Sequence, residues 1–264
     1  MNVLMEIVAD TRAAVARRAA VVPLSALVEA GEQRLAGPNA IRDFKAALAQ
    51  PGISVIAEHK RSSPSAGVIR VDLELAEVVR AYERAGARAL SVLTEESRFG
   101  GALADLEAAR VASSLPILRK DFIVEEYQVH EALAGGADAI LLIVAALDTG
   151  TLIRLHSLAT QLGLATLVEV HDAIELDAAH EIGSEIVGIN NRDLTTLVVD
   201  VERTYELLPD VPDGALVVAE SGFREHAELE RLRAAGVDAV LIGEALMRAP
   251  DIEAATRELL GSGS

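Results

Sequence analysis

The chain of 264 residues contains no cysteine and no tryptophan, and it has few aromatic residues of any kind. The absence of cysteine excludes disulfide bonds, thiolate catalysis and cysteine-ligated metal sites. Long apolar runs are also lacking, since the longest, such as AILLIVAAL at 139–147, are too short to span a bilayer. The N-terminal segment carries Asp and Glu early, which indicates an amphipathic helix and not a signal peptide. These absences predict a soluble, cytoplasmic protein.

Basic residues are in deficit, with 24 Lys and Arg against 41 Asp and Glu and a formal net charge of -17. This balance argues against nucleic acid or an anionic membrane as a partner, because neither would meet a basic surface. A small anionic ligand remains compatible if Lys and Arg gather in a local pocket. The positions of the few cations are therefore informative.

Four segments repeat one pattern, in which a glycine that would end a helix is followed by a short apolar strand. The four glycines recur at intervals of about 50 residues: Gly86, Gly136, Gly183 and Gly236. Four further apolar strands alternate with these segments, and they end at Glu58, Lys120, Glu169 and Glu220. Helical patterns such as LAEVVRAYERAG lie between the strands. Eight strand–helix units predict a parallel sheet with crossover helices.

Eight such units in roughly 200 residues predict an α/β protein with a (β/α)₈ TIM barrel, forming a single domain over 1–264. Residues 1–48 precede the repeat and are predicted to form an N-terminal helical extension. Its apolar pattern and its position before the first strand predict that it lies near the barrel mouth and helps to close it. The stretch at 261–264 is typical of a linker or tail. A doubly wound open sheet is the alternative, but the uniform units and the lack of GxGxxG and GxxxxGK[ST] motifs favour the barrel.

Charged and polar residues stand at the predicted carboxyl ends of the strands, where barrel enzymes carry their active sites. Glu58 and Lys60 lie on the same side of the chain because side chains alternate along a strand. The other strand ends carry Thr94 with Glu95, Lys120, Glu169, Asn190 with Arg192, and Glu220 with Ser221. Neighbouring opposite charges shift pKa values, so these groups predict an acid–base site. Stabilising ion pairs are the weaker alternative, since buried pairs often add little stability.

Two glycine-containing loops, AESGF at 219–223 and LIGEAL at 241–246, follow the seventh and eighth predicted strands. Loops at these positions commonly bind phosphate in this fold, and Ser63 and Arg192 could complete the contact. The six histidines show no convincing metal spacing, so no metal is expected. Phe99 and Phe122 follow strands directly. They could pack in the core or form the wall of a site for an aromatic substrate.

Eight segments resemble, in order, those of the indole-3-glycerol-phosphate synthase family of tryptophan biosynthesis. They are VIAEHKRSSPSAG, SVLTEESRFGG, PILRKDFIVEEYQVHEA, ADAILLIVAAL, LVEVHD, GINNRDL, VAESG and DAVLIGEALM. The resemblance covers nearly the whole chain. It implies a carboxy-lyase that converts 1-(o-carboxyphenylamino)-1-deoxyribulose 5-phosphate to indole-3-glycerol phosphate, with loss of carbon dioxide and water. It implies general acid–base catalysis without a cofactor.

The resemblance also implies roles for individual residues. Lys120 would be the general acid of ring closure, Lys60 would hold the substrate carboxylate and could serve as an acid later, and Glu169 would be the base. Which lysine acts at which step stays open. Glu58 and Asn190 would place Glu169 or share its role. The phosphate would contact Ser63, Gly222, Gly243 and Arg192. The remaining substrate contacts would come from Glu220, Ser221, Phe99, Phe122, Pro64 and Leu194. The two lysines would lower the pKa values of one another and so donate protons readily.

Two positions depart from the pattern of the family. His59 replaces an apolar residue but is expected to face away from the barrel axis. Glu244 follows the phosphate glycine, where a hydroxyl residue is common, and its carboxylate would repel a phosphate unless it is turned away.

The alternatives are another phosphate-sugar barrel enzyme, such as an isomerase or Schiff-base aldolase, and a non-catalytic ligand-binding barrel. The expected partner is a small anionic phosphorylated substrate. The protein is expected to be a monomer, with weak association with pathway enzymes left open.

Overall fold

A computed structural model describes residues 3–37 and 40–262 of the chain. Eight parallel strands follow one another in chain order around a closed barrel, and β1 closes it by pairing with both β2 and β8. The strands are β1 (Ser54–His59), β2 (Ala89–Leu93), β3 (Ile117–Lys120), β4 (Ala139–Ile143), β5 (Ala165–Val170), β6 (Ile186–Asn190), β7 (Leu216–Glu220) and β8 (Ala239–Ile242). The predicted (β/α)₈ barrel is confirmed, and the open-sheet alternative is wrong.

Helices alternate with the strands and surround the barrel. They are α4 (Leu75–Ala85), α5 (Ala104–Ala112), α6 (Glu126–Gly135), α7 (Thr149–Gln161), α8 (Ala173–Glu181), α9 (Glu202–Leu207), α10 (His226–Ala235), α11 (Glu244–Arg248) and α12 (Ile252–Leu259). Single 3₁₀ turns lie at Val144–Ala146 and Leu208–Asp210. Gly86, Gly136 and Gly236 end α4, α6 and α10 in the left-handed conformation, as the glycine repeat predicted.

Apolar side chains divide into two clusters, because side chains alternate between the two faces of each strand. Ile56 and Leu118 belong to the cluster inside the barrel, whereas Val55 and Val92 pack between the strands and the helices. The same alternation turns Glu58 inward. His59 lies outside the barrel, where burial and then the neighbouring Arg61 lower its pKa to about 4. His59 therefore takes no part in the inner site.

Three helices precede β1: α1 (Val3–Val21), α2 (Leu24–Ala36) and α3 (Phe44–Leu48). The first turns of α1 carry Leu4 and Ile7 into the apolar cluster at the mouth of the barrel. The helix α2 packs against α6. At the other end of the barrel, the Ser54 hydroxyl donates a hydrogen bond to the carbonyl of Leu48, at 2.9 Å. The extension thus contacts both ends of the barrel.

Three short segments lie outside the described residues: 1–2 and 38–39 of the predicted extension, and 263–264 of the predicted tail at 261–264. Within the described residues, no helix is both long enough and apolar enough to cross a membrane.

Candidate active site

A cavity opens at the carboxyl ends of the strands, and every residue with a predicted role in catalysis or substrate binding lines it. These residues are Glu58, Lys60, Ser63, Pro64, Phe99, Lys120, Phe122, Glu169, Asn190, Arg192, Leu194, Glu220, Ser221, Gly222, Gly243 and Glu244. Thr94, which was also named among the strand ends, does not line it and donates instead to Asp121 Oδ2 at 2.6 Å.

Further walls come from Leu4 and Ile7 on α1 and from Leu141 and Ile143 on β4. Leu4 and Ile7 place the N-terminal extension at the mouth, where it was expected. None of these four residues was predicted individually, although Leu141 and Ile143 carry the alternating pattern of inward-facing strand positions.

Lys120 stands at the centre of the charged groups. Its ammonium donates hydrogen bonds to Glu169 Oε2 at 2.8 Å and to Glu220 Oε2 at 2.9 Å. Burial lowers the pKa of Lys120, but Glu169, Glu220 and Glu58 outweigh it and raise the pKa above its ordinary value. The expectation that the lysines lower the pKa values of one another is therefore wrong for Lys120, because barrel closure surrounds it with carboxylates.

The two carboxylates that hold Lys120 differ in protonation. Burial raises the pKa of Glu169, but Lys120 and then His171 outweigh it, so the net pKa lies below the ordinary value. Burial also raises the pKa of Glu220, and there Lys120 does not compensate, so the pKa rises to about 7. Glu169 is thus ionised at neutral pH, while Glu220 titrates in the neutral range.

Glu58 and Lys60 form a second pair at the end of β1. Lys60 Nζ lies 2.7 Å from Glu58 Oε1, and the Ser91 hydroxyl donates to Glu58 Oε2 at 3.3 Å. A Cβ atom at Gly243 would lie 2.6 Å from Glu58 Oε1, so only glycine leaves room for this carboxylate. The predicted phosphate glycine therefore also positions a charged group of the site.

Asn190 and Ser221 connect the ends of β6 and β7. Asn190 Oδ1 accepts hydrogen bonds from the Ser221 hydroxyl at 2.9 Å and from the Arg192 backbone N–H at 3.0 Å. Ser221 has a φ of 67°, a left-handed conformation that is uncommon outside glycine and recurs at functional sites. The Arg192 side chain donates to the Leu197 carbonyl at 3.0 Å, which holds the loop after β6.

The loops proposed for phosphate lie together on one side of the cavity. Ser63 belongs to a small hairpin that pairs Ser62–Ser63 with Gly67–Val68, and its hydroxyl accepts from the Ala66 N–H at 3.2 Å. Glu244 opens α11 directly after Gly243. Arg248, one turn later, donates to Glu244 Oε1 at 3.1 Å. The carboxylate of Glu244 is thus neutralised along its own helix, which reduces its repulsion of an anion.

Phe99 and Phe122 pair across the mouth, with ring centroids 6.4 Å apart and ring planes at 43°. Each ring is fixed through its backbone. Glu95 accepts from the Phe99 N–H at 3.0 Å, and the Gln128 side chain donates to the Phe122 carbonyl at 2.9 Å. Both rings line the cavity, and they also contact the inner apolar cluster. Packing in the core and forming a wall of the cavity are therefore compatible for these two rings.

A (β/α)₈ barrel that gathers buried ammonium and carboxylate groups at the carboxyl ends of its strands defines an acid–base enzyme of the barrel class. A family model described as indole-3-glycerol phosphate synthase matches residues 4–259. The chain belongs to this family.

Curated relatives carry the same description over the full chain. The chain is 47% identical to the indole-3-glycerol phosphate synthase of Mycobacterium avium (strain 104), over 100% of this chain and 95% of that protein. It is 48% identical to that of Aromatoleum aromaticum, over 98% of this chain and 99% of that protein. The enzyme of Rhodococcus jostii is also 48% identical, over 100% of this chain and 97% of that protein.

Solved structures with lower identity share the fold. A 3-hexulose-6-phosphate synthase superposes with a TM-score of 0.61 at 15% identity, covering 80% of this chain and 100% of that chain. Thiamine phosphate pyrophosphorylase from Pyrococcus furiosus superposes with a TM-score of 0.60 at 20% identity, covering 79% of this chain and 94% of that chain.

Proposed function

We propose that the protein closes the pyrrole ring of indole-3-glycerol phosphate, starting from 1-(o-carboxyphenylamino)-1-deoxyribulose 5-phosphate. Family membership over nearly the whole chain supports this reaction, and the observation that carries the mechanism is the position of Lys120 between Glu169 and Glu220. The reaction needs a proton donor, a group that holds a carboxylate, and a base. The cavity offers an ammonium, a second lysine and an anionic glutamate for these three tasks.

The first step joins the ring carbon that bears the carboxylate to the ketone carbon of the sugar chain. Lys120 donates a proton to the ketone oxygen, which becomes a hydroxyl group, and loss of carbon dioxide restores the aromatic ring. Lys60 holds the carboxylate until it leaves. The raised pKa of Lys120 keeps it protonated before the reaction, and its two carboxylate partners orient the ammonium.

The second step removes water. The hydroxyl group leaves as water with a proton from one of the two lysines, Lys60 or a reprotonated Lys120. A base takes a second proton from the carbon next to the ring nitrogen, which gives the indole double bond. Glu169 fits this task, because its lowered pKa keeps it ionised at neutral pH. Asn190 and Glu58 position the reacting groups.

The substrate phosphate is proposed to bind at Ser63, Arg192, Gly222 and Gly243, with Glu244 nearby. Ser63→Ala should weaken competition by inorganic phosphate and leave the acid–base groups in place. Gly243→Val is a poor probe of this contact, because its Cβ atom would collide with Glu58. Equal inhibition by phosphate in the wild type and in Ser63→Ala would place the phosphate away from Ser63.

A Schiff-base aldolase is disfavoured by the protonation of Lys120, since an imine-forming lysine needs a lowered pKa. The decisive experiment mixes the protein with the carboxyphenylamino substrate and follows indole absorbance and fluorescence. The chain contains no tryptophan, so the background is low. Turnover to an indole product without a borohydride-trapped adduct is expected. An adduct with a ketose phosphate and no indole signal would favour the aldolase. A monomeric state and a cytoplasmic location stay predictions.

A further inference from the structure

His171 directly follows β5, and its imidazole is held from one side by Glu175. His171 Nδ1 lies 3.0 Å from Glu175 Oε2, and the same oxygen accepts the His171 backbone N–H at 2.8 Å. Glu175 is itself fixed in the first turn of α8, where its N–H donates to the side chain of Asp172 at 2.9 Å. The ring of His171 therefore has a defined orientation and a proton on Nδ1.

The other ring nitrogen points toward Glu169. His171 Nε2 lies 3.4 Å from Glu169 Oε1, and both atoms are buried. Neither atom has another hydrogen-bond partner among the described residues, while Glu169 Oε2 accepts from Lys120. Buried polar atoms without partners are rare and call for an explanation. Two such atoms facing each other at this distance form a contact that a small movement would convert into a hydrogen bond.

We infer that His171, oriented by Glu175, is a positioning residue that holds Glu169 in place and supplies a positive charge behind it. The inference rests on the proposed function, in which Glu169 is the base. His171 does not line the cavity, so it acts through Glu169 and not on the substrate.

The surrounding charges favour an imidazolium at this position. Burial lowers the pKa of His171, but Glu175, Glu169 and Glu220 outweigh it and raise the pKa above its ordinary value. The cation that faces Glu169 from the opposite side is Lys120. Glu58 and its partner Lys60 lie at the same mouth. The other charged residues that line the cavity are Glu95, Asp121, Arg192, Arg224 and Glu244.

A second cation beside Glu169 has a specific use in the proposed reaction. When Lys120 gives its proton to the ketone oxygen, Glu169 loses the ion pair that keeps it anionic and oriented. His171 remains in place during that step, because it is bound to α8 and not to the substrate. Glu169 is then still ionised and correctly oriented when it must take the proton from the carbon next to the ring nitrogen.

The alternative is a purely structural role, in which His171 only connects α8 to the end of β5 through Glu175. Both interpretations predict some loss of stability when His171 is replaced. Only the positioning role predicts a change in the pH dependence of the rate. Removal of a positive charge raises the pKa of Glu169, and the base must be ionised to act. The acidic limb of the kcat profile must then move to higher pH.

The test compares His171→Gln and Glu175→Gln with two control variants on α8, His180→Gln and Glu181→Gln, whose side chains are exposed. In His171→Gln we expect kcat to fall about ten- to hundredfold, the scale at which misplacement of a catalytic group acts. KM should change little, and the acidic limb should move upward. Glu175→Gln should show the same change in a weaker form, and the controls should match the wild type.

A measurement on the wild type keeps the inference testable if a variant does not fold. The imidazole resonance of His171, assigned by comparison with His171→Gln or by sequential assignment, should titrate above the ordinary histidine pKa of about 6.5. It should titrate lower in Glu175→Gln. A His171 that titrates below 6.5, or an acidic limb that stays in place in His171→Gln, would overturn the inference. Absence of any indole product from the wild type would instead refute the proposed function, and the titration would still decide the arrangement around His171.

Discussion

Two buried charge clusters lie at opposite ends of the barrel and differ in how completely their oxygen atoms are used. Asp138, just before β4, accepts hydrogen bonds on both carboxylate oxygens at 2.7–2.9 Å, from the side chains of Arg34 and Arg110 and from the backbone N–H groups of Arg42 and Ile117. In the mouth, one oxygen of Glu169 and one of Glu220 have no hydrogen-bond partner among the residues described.

This difference in hydrogen bonding indicates that the Asp138 cluster stabilises the fold, whereas the cluster in the mouth serves function. A carboxylate whose acceptors are all used gains its full interaction in the folded chain and has nothing left for a ligand. A buried acceptor without a partner costs stability, and a site keeps it when a substrate or a moving proton uses it. The distribution of lysine supports this separation: the chain has Lys45, Lys60 and Lys120, and the latter two line the cavity.

The largest effect is expected for Lys120→Met, which keeps the length of the side chain and removes the proton. A general acid contributes about 10²–10⁴-fold to the rate, so kcat should fall at least a hundredfold while KM changes much less. Steady-state kinetics on the indole product measures both. Lys45→Met is the control, because this half-buried lysine of α3 pairs with Glu185 at 2.6 Å and does not line the cavity. A near-normal kcat in Lys120→Met, combined with loss of kcat in Lys60→Met, would reverse the assignment of the acid.

The next effect concerns stability at the other end of the barrel. Asp138→Asn removes the negative charge that Arg34 and Arg110 share, and loss of one partner from a buried ion pair costs about 3–5 kcal/mol. The free energy of unfolding, measured with urea, should fall by this amount, and kcat of the folded fraction should stay the same. Asp177→Asn, exposed on α8, is the matched control. A stable Asp138→Asn protein with reduced kcat would contradict the separation of the two clusters.

A smaller effect is expected for Lys60→Met, which removes the proposed partner of the substrate carboxylate. Hydrogen bonds to charged groups contribute about 1.5–3 kcal/mol, which corresponds to roughly a ten- to hundredfold rise in KM. A substrate analogue that lacks the carboxylate should bind equally to the variant and to the wild type. A kcat that falls more than KM rises would instead make Lys60 a proton donor.

Most of the barrel could be predicted from the sequence, because apolar strands and helix-ending glycines are local signals. The predicted site residues also came together in one cavity, since parallel strand ends converge whatever their separation along the chain. The position of the N-terminal extension near the mouth could be predicted from its apolar pattern. The particular wall residues, Leu4 and Ile7, could not, because they depend on how α1 packs against distant strands. The predicted lowering of the Lys120 pKa was wrong for the same reason, because the shift depends on which strands bring carboxylates opposite β3 in the barrel.

The sequence around His171 contains a signal for its position that was not used in the prediction of the site. The spacing from His171 to Glu175 places a carboxylate one turn of helix away from an imidazole, at the end of a strand that carries Glu169. The sequence does not state which ring nitrogen faces which carboxylate. Only the folded chain brings Nε2 of His171 within 3.4 Å of Glu169 Oε1.

The smallest effect, and the most direct comparison of the two clusters, comes from Glu220→Gln. The pKa of Glu220 is raised from 4.5 to about 7, first by burial and then by the repulsion of Glu169 and Glu58, despite Lys120. A carboxyl group with a raised folded-state pKa supports folding at low pH and opposes it as the pH rises through that value. At pH 8 the ionised side chain of Glu220 therefore costs stability, and a neutral glutamine avoids that cost.

Glu220→Gln should raise the free energy of unfolding by on the order of 1 kcal/mol at pH 8 and by less at pH 5.5, while the activity falls. Urea unfolding at the two pH values, with Glu181→Gln as the control, measures the difference. Asp138→Asn should shift stability in the opposite direction at pH 8, and if Glu220→Gln destabilised the protein as much as Asp138→Asn does, both clusters would have to be regarded as structural.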